Sequence, residues 1–166
     1  LYLDPDTSAY PPEDTASEQR MLSLADATGA HDVAAKALHA AVLAGPSAAR
    51  AADLHERRGA IVEAHLRDLE GALAAYLEAF ELAPERSATA AAVVRVATHV
   101  EKWDVAAQAV VTSARARKTF SAALLVAFES AAAQAGAWDA ATTQLAEAVE
   151  VDEDLPAAIA GEFERR

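Results

Sequence analysis

The segment HERRGAIVEAH, from His55 to His65, contains the residue types of a zinc-dependent hydrolase. A zinc-binding helix of that class carries His-Glu-x-x-His, which places two imidazoles four residues apart on one helix face. Here the second histidine follows ten residues after the first, so the two imidazoles do not form that pair. His31, His39 and His99 are isolated along the chain. We therefore predict no metal site.

Other catalytic signatures are also missing from the sequence. It contains no glycine-rich phosphate loop, no Gly-x-Ser-x-Gly turn, and no cysteine to act as a nucleophile or thiolate ligand. The carboxylates of Glu147, Glu150 and residues 152–154 form a charge run that is typical of a solvated helix end. We predict a protein that is not an enzyme and that binds no cofactor.

The charge balance restricts the class of partner. The formal net charge is −12 and the isoelectric point is about 4.7, which argues against binding to nucleic-acid phosphates. An acidic surface attracts basic proteins or peptides, and it also keeps a protein soluble. Charged residues interrupt every apolar run well before the ~20 residues of a membrane span. The absence of cysteine fits a reducing compartment, so we expect a cytoplasmic location. The composition, rich in alanine and arginine and poor in lysine, suits a GC-rich bacterial genome.

The elements that position these residues follow a repeat. In ALAAYLEAFELAP, residues 72–84, Ala72, Tyr76 and Ala79 lie on one face of a helix that Pro84 ends. The same spacing occurs at Ala34, Leu38 and Ala41, at Ala106, Val110 and Ser113, and at Ala141, Leu145 and Ala148. In the third copy a serine, Ser113, takes the place of the second alanine. The starting alanines recur every 34 to 38 residues.

A second helix precedes each copy of this pattern. The preceding helices are predicted over residues 15–28, 50–66, 87–100 and 121–135, and turns of three residues join them to the following helices. Connections this short make the two helices of a pair antiparallel neighbours. A period near 34 residues with two helices in each unit is typical of a helical solenoid.

The chain here resembles the tetratricopeptide repeat (TPR) family. The family pattern A-x3-F…P is matched by Ala72, Tyr76 and Pro84, and less closely by Ala34, Leu38 and Pro46. Of the first-helix pattern W-x2-L-G-x2-Y, the second repeat keeps only Gly59. Another family of helix-pair solenoids remains the alternative, because apolar spacing separates such families poorly.

The resemblance implies an all-α, right-handed α-solenoid of about four antiparallel helix pairs. The predicted units span residues 15–46, 50–84, 87–118 and 121–153, followed by a terminal helix at 155–166. Residues 1–14 are interpreted as the tail of a preceding repeat plus a linker, because LYLDP at residues 1–5 is similar to FELAP at 80–84. A chance similarity in a flexible arm is the alternative. Both ends suggest a piece of a longer array.

In such a solenoid the first helices line a concave groove that binds a peptide or helix of a partner. Helical spacing then predicts a row of groove residues: Gln19, Ser23, Asp26, Glu56, Glu63, Arg95, Thr98, His99, Ser130 and Gln134. We predict that Trp103 and Trp138, at equivalent turns, pack over their helix pairs. Their alternative role is as exposed anchors for a partner.

The function that this pattern favours is a noncatalytic protein–protein interaction module within a larger scaffold protein. Its partner would be a protein or peptide, with basic character favoured by the charge, and neither nucleic acid nor a membrane span is expected. The alternative is a structural spacer or self-assembly unit, because the open ends of a solenoid expose apolar faces that can stack on another copy.

Overall fold

A computed structural model describes residues 15–164 of the chain, except for the side chains of Ala158 and Glu164. Within this range all regular structure is helical, which confirms the predicted all-α class. None of the helices described there is long and apolar enough to cross a membrane. The predicted tail and linker in residues 1–14 lie outside the described residues.

The helices follow the predicted pairs closely. They are α1 (Thr15–Thr28), α2 (His31–Leu43), α3 (Ala48–Ile61), α4 (Leu69–Leu82), α5 (Ser87–His99), α6 (Trp103–Arg117), α7 (Ala122–Ala135), α8 (Trp138–Val151) and α9 (Ala157–Glu164). The contacts divide the chain into two compact units, with the boundary between Ala83 and Pro84. Unit 1 contains α1 to α4 and unit 2 contains α5 to α9. The right-handed solenoid stays a prediction.

Short polar residues and one glycine set several helix limits. Ser47, Asp68 and Ser121 each precede a helix, and their side-chain oxygens accept a hydrogen bond from the backbone N–H three residues later. Such a cap contributes about 1 kcal/mol, because it satisfies a backbone donor that the helix leaves free. Gly29 has a φ of 74° in the turn between α1 and α2, a conformation that glycine adopts without steric cost.

The first helix of the second pair changes its hydrogen-bond pattern before it ends. The sequence predicts one helix over residues 50–66, whereas α3 ends at Ile61 and continues as a π-helical segment, Val62–Leu66. Arg67, with a left-handed φ of 55°, ends this segment. Because a π-turn bonds residue i to i+5, it rotates the side chains that follow relative to a continuous α-helix.

Unit 1 is packed through contacts of α2 with α1 and α3 and of α3 with α4. The core between α1, α2 and α3 contains Met21, Ala25, Ala34, Leu38, Ala41 and Leu54. On α4, Ala72 and Ala79 are fully buried and Tyr76 is 6% exposed, as the repeat pattern predicts. Small side chains at such contacts allow helix axes to approach to about 8–10 Å.

At Gly59, α3 is in close contact with a side chain of α4. An ideal Cβ at this position would lie 2.9 Å from both Cδ1 and Cε1 of Tyr76. Real Cβ atoms do not approach ring carbons so closely, so the Tyr76 ring occupies the space that a larger residue would need. The one residue of the first-helix family pattern that this repeat keeps is therefore required by packing.

Unit 2 contains two helix pairs packed on each other. α5 packs against α6 within its pair, while α5 also contacts α7 and α6 contacts α8. The Trp103 ring at the start of α6 meets Phe128 of α7 edge-to-face, with ring centroids 6.0 Å apart. The Phe163 ring of α9 meets Phe120 in the same way, at 5.1 Å. Equivalent helices of consecutive pairs are thus neighbours within this unit.

The two tryptophans differ although their positions in the repeat are equivalent. Trp103 is buried, which confirms the packing prediction, whereas Trp138 is 48% exposed and the same prediction is wrong there. The reason is the neighbouring pair: Phe128 covers Trp103, and within residues 15–164 no following helix pair exists to cover Trp138.

Candidate interaction surface

The first helices of unit 1, α1 and α3, are joined by side-chain contacts at two places. Near the start of α1, Glu18 contacts Arg50 and Arg57 of α3. Near the end of α1, Asp26 lies in one cluster with His65, in the π-helical segment that continues α3. The contacts follow the same order along α1 and along α3 with its continuation, so the two run in the same direction. Residues on one side of both therefore contribute to one surface.

Five of the predicted groove residues lie on α1, on α3 and on the π-helical segment that continues α3. Gln19, Ser23 and Asp26 of α1 are exposed, whereas Glu56 and Glu63 are half-buried. Glu63 already has an internal partner, because the Tyr76 hydroxyl donates a hydrogen bond of 3.0 Å to its Oε2. The unit 1 part of the row is therefore acidic, and Glu63 helps to fix the ring that packs on Gly59.

The other five predicted groove residues belong to unit 2. Arg95 and His99 of α5 and Ser130 and Gln134 of α7 are exposed. Thr98 is only 8% exposed, and its hydroxyl donates to the Arg95 carbonyl oxygen at 3.0 Å. Thr98, unlike the other predicted groove residues of unit 2, is buried, because its position on α5 faces the interior of the unit; the groove itself stays a prediction.

Glu18 is a fully buried carboxylate, and we did not predict it from the sequence. Its side chain is 0% exposed and pairs with Arg50, whose side chain is 10% exposed. The Arg57 Nη1 atom lies 2.6 Å from the other carboxylate oxygen. A buried charge needs such partners, because removal from water costs several kcal/mol for each ion. This ion-pair group positions α1 on α3 and so orients the acidic surface.

A second polar group joins α2, α3 and α4. The Nδ1 atom of buried His55 lies 2.8 Å from Glu78 Oε2, and Arg58 Nη1 lies 3.2 Å from the same oxygen. Arg58 Nη1 also lies 2.8 Å from His39 Nδ1. Burial lowers the pKa of His55, and the charges of Arg58 and His39 add to this effect, while Glu78 opposes it. The net effect is a pKa below the ordinary value.

The lowered pKa of His55 predicts acid-sensitive stability. The unfolded chain binds a proton at His55 more readily than the folded chain, so the free energy of unfolding should fall as pH decreases below 6.5. Above that pH the imidazole is neutral in both states, and its contribution stays constant. Urea unfolding followed by circular dichroism at about pH 7.5 and about pH 5.5 measures this loss. The His55→Gln variant should lose less stability on acidification, and an equal loss would contradict the assignment.

Three residues that are separate in the sequence meet at the end of α1. Ligand atoms of Asp26, His31 and His65 all lie within 4.8 Å of one another. The two imidazole rings are stacked, with centroids 3.6 Å apart and an angle of 12° between their planes. The structure therefore brings together two histidines that we treated as unrelated.

The repeat contains a signal for this cluster. Alignment of the copies by Ala34 and Ala72 places His65 at the position equivalent to Ala27, next to Asp26. If first helices of neighbouring pairs lie side by side, equivalent positions come close together. His31 follows Asp26 across the short turn at Gly29, so it reaches the same place.

Unit 2 contains two recesses of different character. An open recess of about 630 Å³, beside Trp103 and the starts of α6 and α8, is lined by the acidic side chains of Glu101, Asp104 and Asp139. A more enclosed cavity of about 190 Å³ lies against the rings of Trp138 and Phe163. The acidic recess suits a basic side chain of a protein partner, and the apolar cavity suits an apolar one.

Comparison with known proteins adds no relative. No family model matches the chain, and searches of curated proteins and of solved structures return no match.

Proposed function

We propose that this chain is a noncatalytic protein-interaction module that binds a protein or peptide segment with basic side chains. The observation that carries the proposal is that the predicted groove residues of unit 1 include three carboxylates and no basic side chain. Asp26 of α1 is exposed. Glu56 of α3 and Glu63 of the π-helical segment are partly exposed. Opposite charges across such a surface favour encounter and fix the register of the partner.

Rigid presentation of these side chains supports the same function. The apolar faces of α1 and α3 are held in the unit 1 core, where Met21, Ala25 and Leu54 are buried. The Glu18 ion pairs add a fixed polar link between the two helices. Binding to a preordered surface loses less conformational entropy than binding to a mobile one.

The TPR resemblance extends this proposal. Neighbouring first helices in unit 1, and the contacts of α5 with α7 in unit 2, are what a stack of helix pairs requires within each unit. A groove of the tetratricopeptide type, lined by first helices and belonging to a larger scaffold protein, would bind an extended peptide or a helix.

The test is a charge reversal at Glu56 with a matched reversal elsewhere in unit 1. Labelled arginine- and lysine-containing peptides, with glutamine-substituted copies as controls, are titrated with the full chain and binding is followed by fluorescence polarisation. We expect Glu56→Lys to weaken binding of the basic peptides by about tenfold, or about 1.4 kcal/mol. Glu81→Lys makes the same charge change on the exposed surface of α4 and should alter binding by less than about twofold.

Two outcomes would contradict the proposal. Equal weakening by both variants would mean that only the overall charge attracts the peptides, and similar binding of the glutamine-substituted copies would mean that basic side chains are not recognised. Circular dichroism of both variants verifies that the helices are intact.

The apolar cavity favours a second candidate function, a self-assembly unit. Trp138 is 48% exposed beside this cavity, and Val126 of α7 is 47% exposed. Large apolar groups at the surface of one unit can pack against another copy of the chain. Sedimentation over a concentration series distinguishes the two functions, because self-assembly requires a mass that rises with concentration.

A further inference from the structure

We propose that Asp26, His31 and His65 form a binding site for one divalent transition-metal ion, with Zn²⁺ as its representative. Imidazole nitrogens and a carboxylate oxygen are the ligands that Zn²⁺, Ni²⁺ and Cu²⁺ share. Mg²⁺ and Ca²⁺ prefer sites made of oxygen atoms. The inference does not depend on the proposed partner binding.

The local backbone places the three ligands on different elements. Asp26 is in the last turn of α1, and the turn at Gly29 allows His31 to begin α2 beside it. His65 belongs to the π-helical segment after α3, and Arg67 ends that segment in the left-handed conformation. Insertions of π-helix occur frequently at functional sites, because they redirect side chains that a regular helix would place elsewhere.

The distances allow one ion to reach all three ligands. In a tetrahedral site with bonds of about 2.0–2.1 Å, ligand atoms are about 3.3 Å apart. The ligand atoms here are already within 4.8 Å of one another, so rotation of the side chains brings them to bonding separation. The stacked imidazoles must turn about their side-chain torsions, because each nitrogen lone pair lies in its ring plane and two nearly parallel ring planes, with centroids 3.6 Å apart, cannot both contain one ion.

Access and coordination number also suit a metal ion. The side chains of His31 and Asp26 are 16% and 70% exposed, and His65 is exposed, so an ion can enter from solvent. Three protein ligands leave a fourth position of a tetrahedral ion open for water or for a group of a partner.

The bound ion would join three elements of unit 1: α1, α2 and the π-helical segment. An ion that binds the folded chain and not the unfolded chain stabilises the fold in proportion to ln(1 + [ion]/Kd). It would also change the charge beside Asp26, which belongs to the acidic row of the proposed interaction surface. The site is therefore a means by which metal availability could alter that surface.

The experiment titrates ZnCl₂ into the untagged full chain after removal of metal with a chelator, and isothermal calorimetry measures the stoichiometry. We expect one Zn²⁺ per chain, with no competition from a large excess of Mg²⁺. His31→Ala and His65→Ala should each weaken binding by at least about tenfold. Changes to residues that only support a metal ligand already weaken metal binding by about 10–100-fold, and loss of a ligand itself should cost no less. His99→Ala, an exposed histidine of unit 2, is the matched control and should bind like the parent chain.

Co²⁺ provides an independent readout of the ligand set. Visible absorption of bound Co²⁺ should develop in the parent chain and in His99→Ala, and it should be lost in Asp26→Asn combined with His65→Ala. Circular dichroism verifies that each variant is folded before titration. Absence of Zn²⁺ binding by the folded parent chain, or equal affinity in His31→Ala, His65→Ala and the parent chain, would overturn the proposal.

Discussion

Replacement of Glu18 with alanine should lower the free energy of unfolding by about 3–5 kcal/mol. The carboxylate is fully buried, and its removal leaves Arg50, with a side chain that is only 10% exposed, without its buried counter-charge. The measurement is urea unfolding followed by far-UV circular dichroism. Tryptophan fluorescence would not serve, because Trp103 and Trp138 both belong to unit 2.

Variants of the two arginines test the cause of that loss. Arg57→Ala should cost clearly less than Glu18→Ala, because the Arg57 side chain is 40% exposed and Glu18 keeps Arg50 as a partner. The double change Glu18→Leu with Arg50→Met should recover a large part of the stability, because it removes both buried charges together. A loss below about 1 kcal/mol for Glu18→Ala would contradict the enclosed ion pair.

The Gly59→Ala variant should also be destabilised, although alanine is the better helix former. The new Cβ would lie 2.9 Å from two ring carbons of Tyr76, and overpacking of this kind costs about 1–3 kcal/mol. The higher helix propensity of alanine offsets about 1 kcal/mol of this destabilisation. We therefore expect the free energy of unfolding, measured with urea, to fall by up to about 2 kcal/mol. Tyr76 cannot move away freely, because it is buried and its hydroxyl is bonded to Glu63.

Gly161→Ala is the matched control for this change. Gly161 lies in α9, and among the described residues a Cβ at its position would meet no atom within 4 Å beyond the backbone of its own helix. The same substitution should therefore be neutral or stabilising there, by up to about 1 kcal/mol. Combining Gly59→Ala with Tyr76→Leu should relieve the steric part of the loss. A Gly59→Ala variant as stable as the parent chain would mean that α3 and α4 are not in close contact at this residue.

Local patterns in the sequence were sufficient to predict the helices and much of their burial. The spacing of Ala72, Tyr76 and Ala79 defined a buried face, and those residues are buried. Short turns with Gly29 and Asp68 defined where helices end and begin. These features depend on residues within a few positions of one another, which one sequence contains in full.

Features that depend on tertiary neighbours could not be predicted in the same way. A glutamate on a helix is ordinarily on the surface, and only the arginines of α3, more than thirty residues away, permit burial of Glu18. The cluster of Asp26, His31 and His65 depends on the packing of α2 against the π-helical segment, which brings His31 and His65 together beside the end of α1. Equivalent repeat positions can also have different neighbours, as the burial of Trp103 and the exposure of Trp138 show.

An NMR titration of the ¹⁵N-labelled full chain with an arginine-containing peptide tests directly whether the carboxylates of unit 1 bind a basic partner. Shift changes should concentrate at the amides of α1 and α3 around Asp26 and Glu56, and they should diminish at high salt as the charges are screened. Shift changes confined to α2 and α4, or equal changes with a glutamine-substituted peptide, would show that the carboxylates of the first helices in unit 1 do not bind a basic partner.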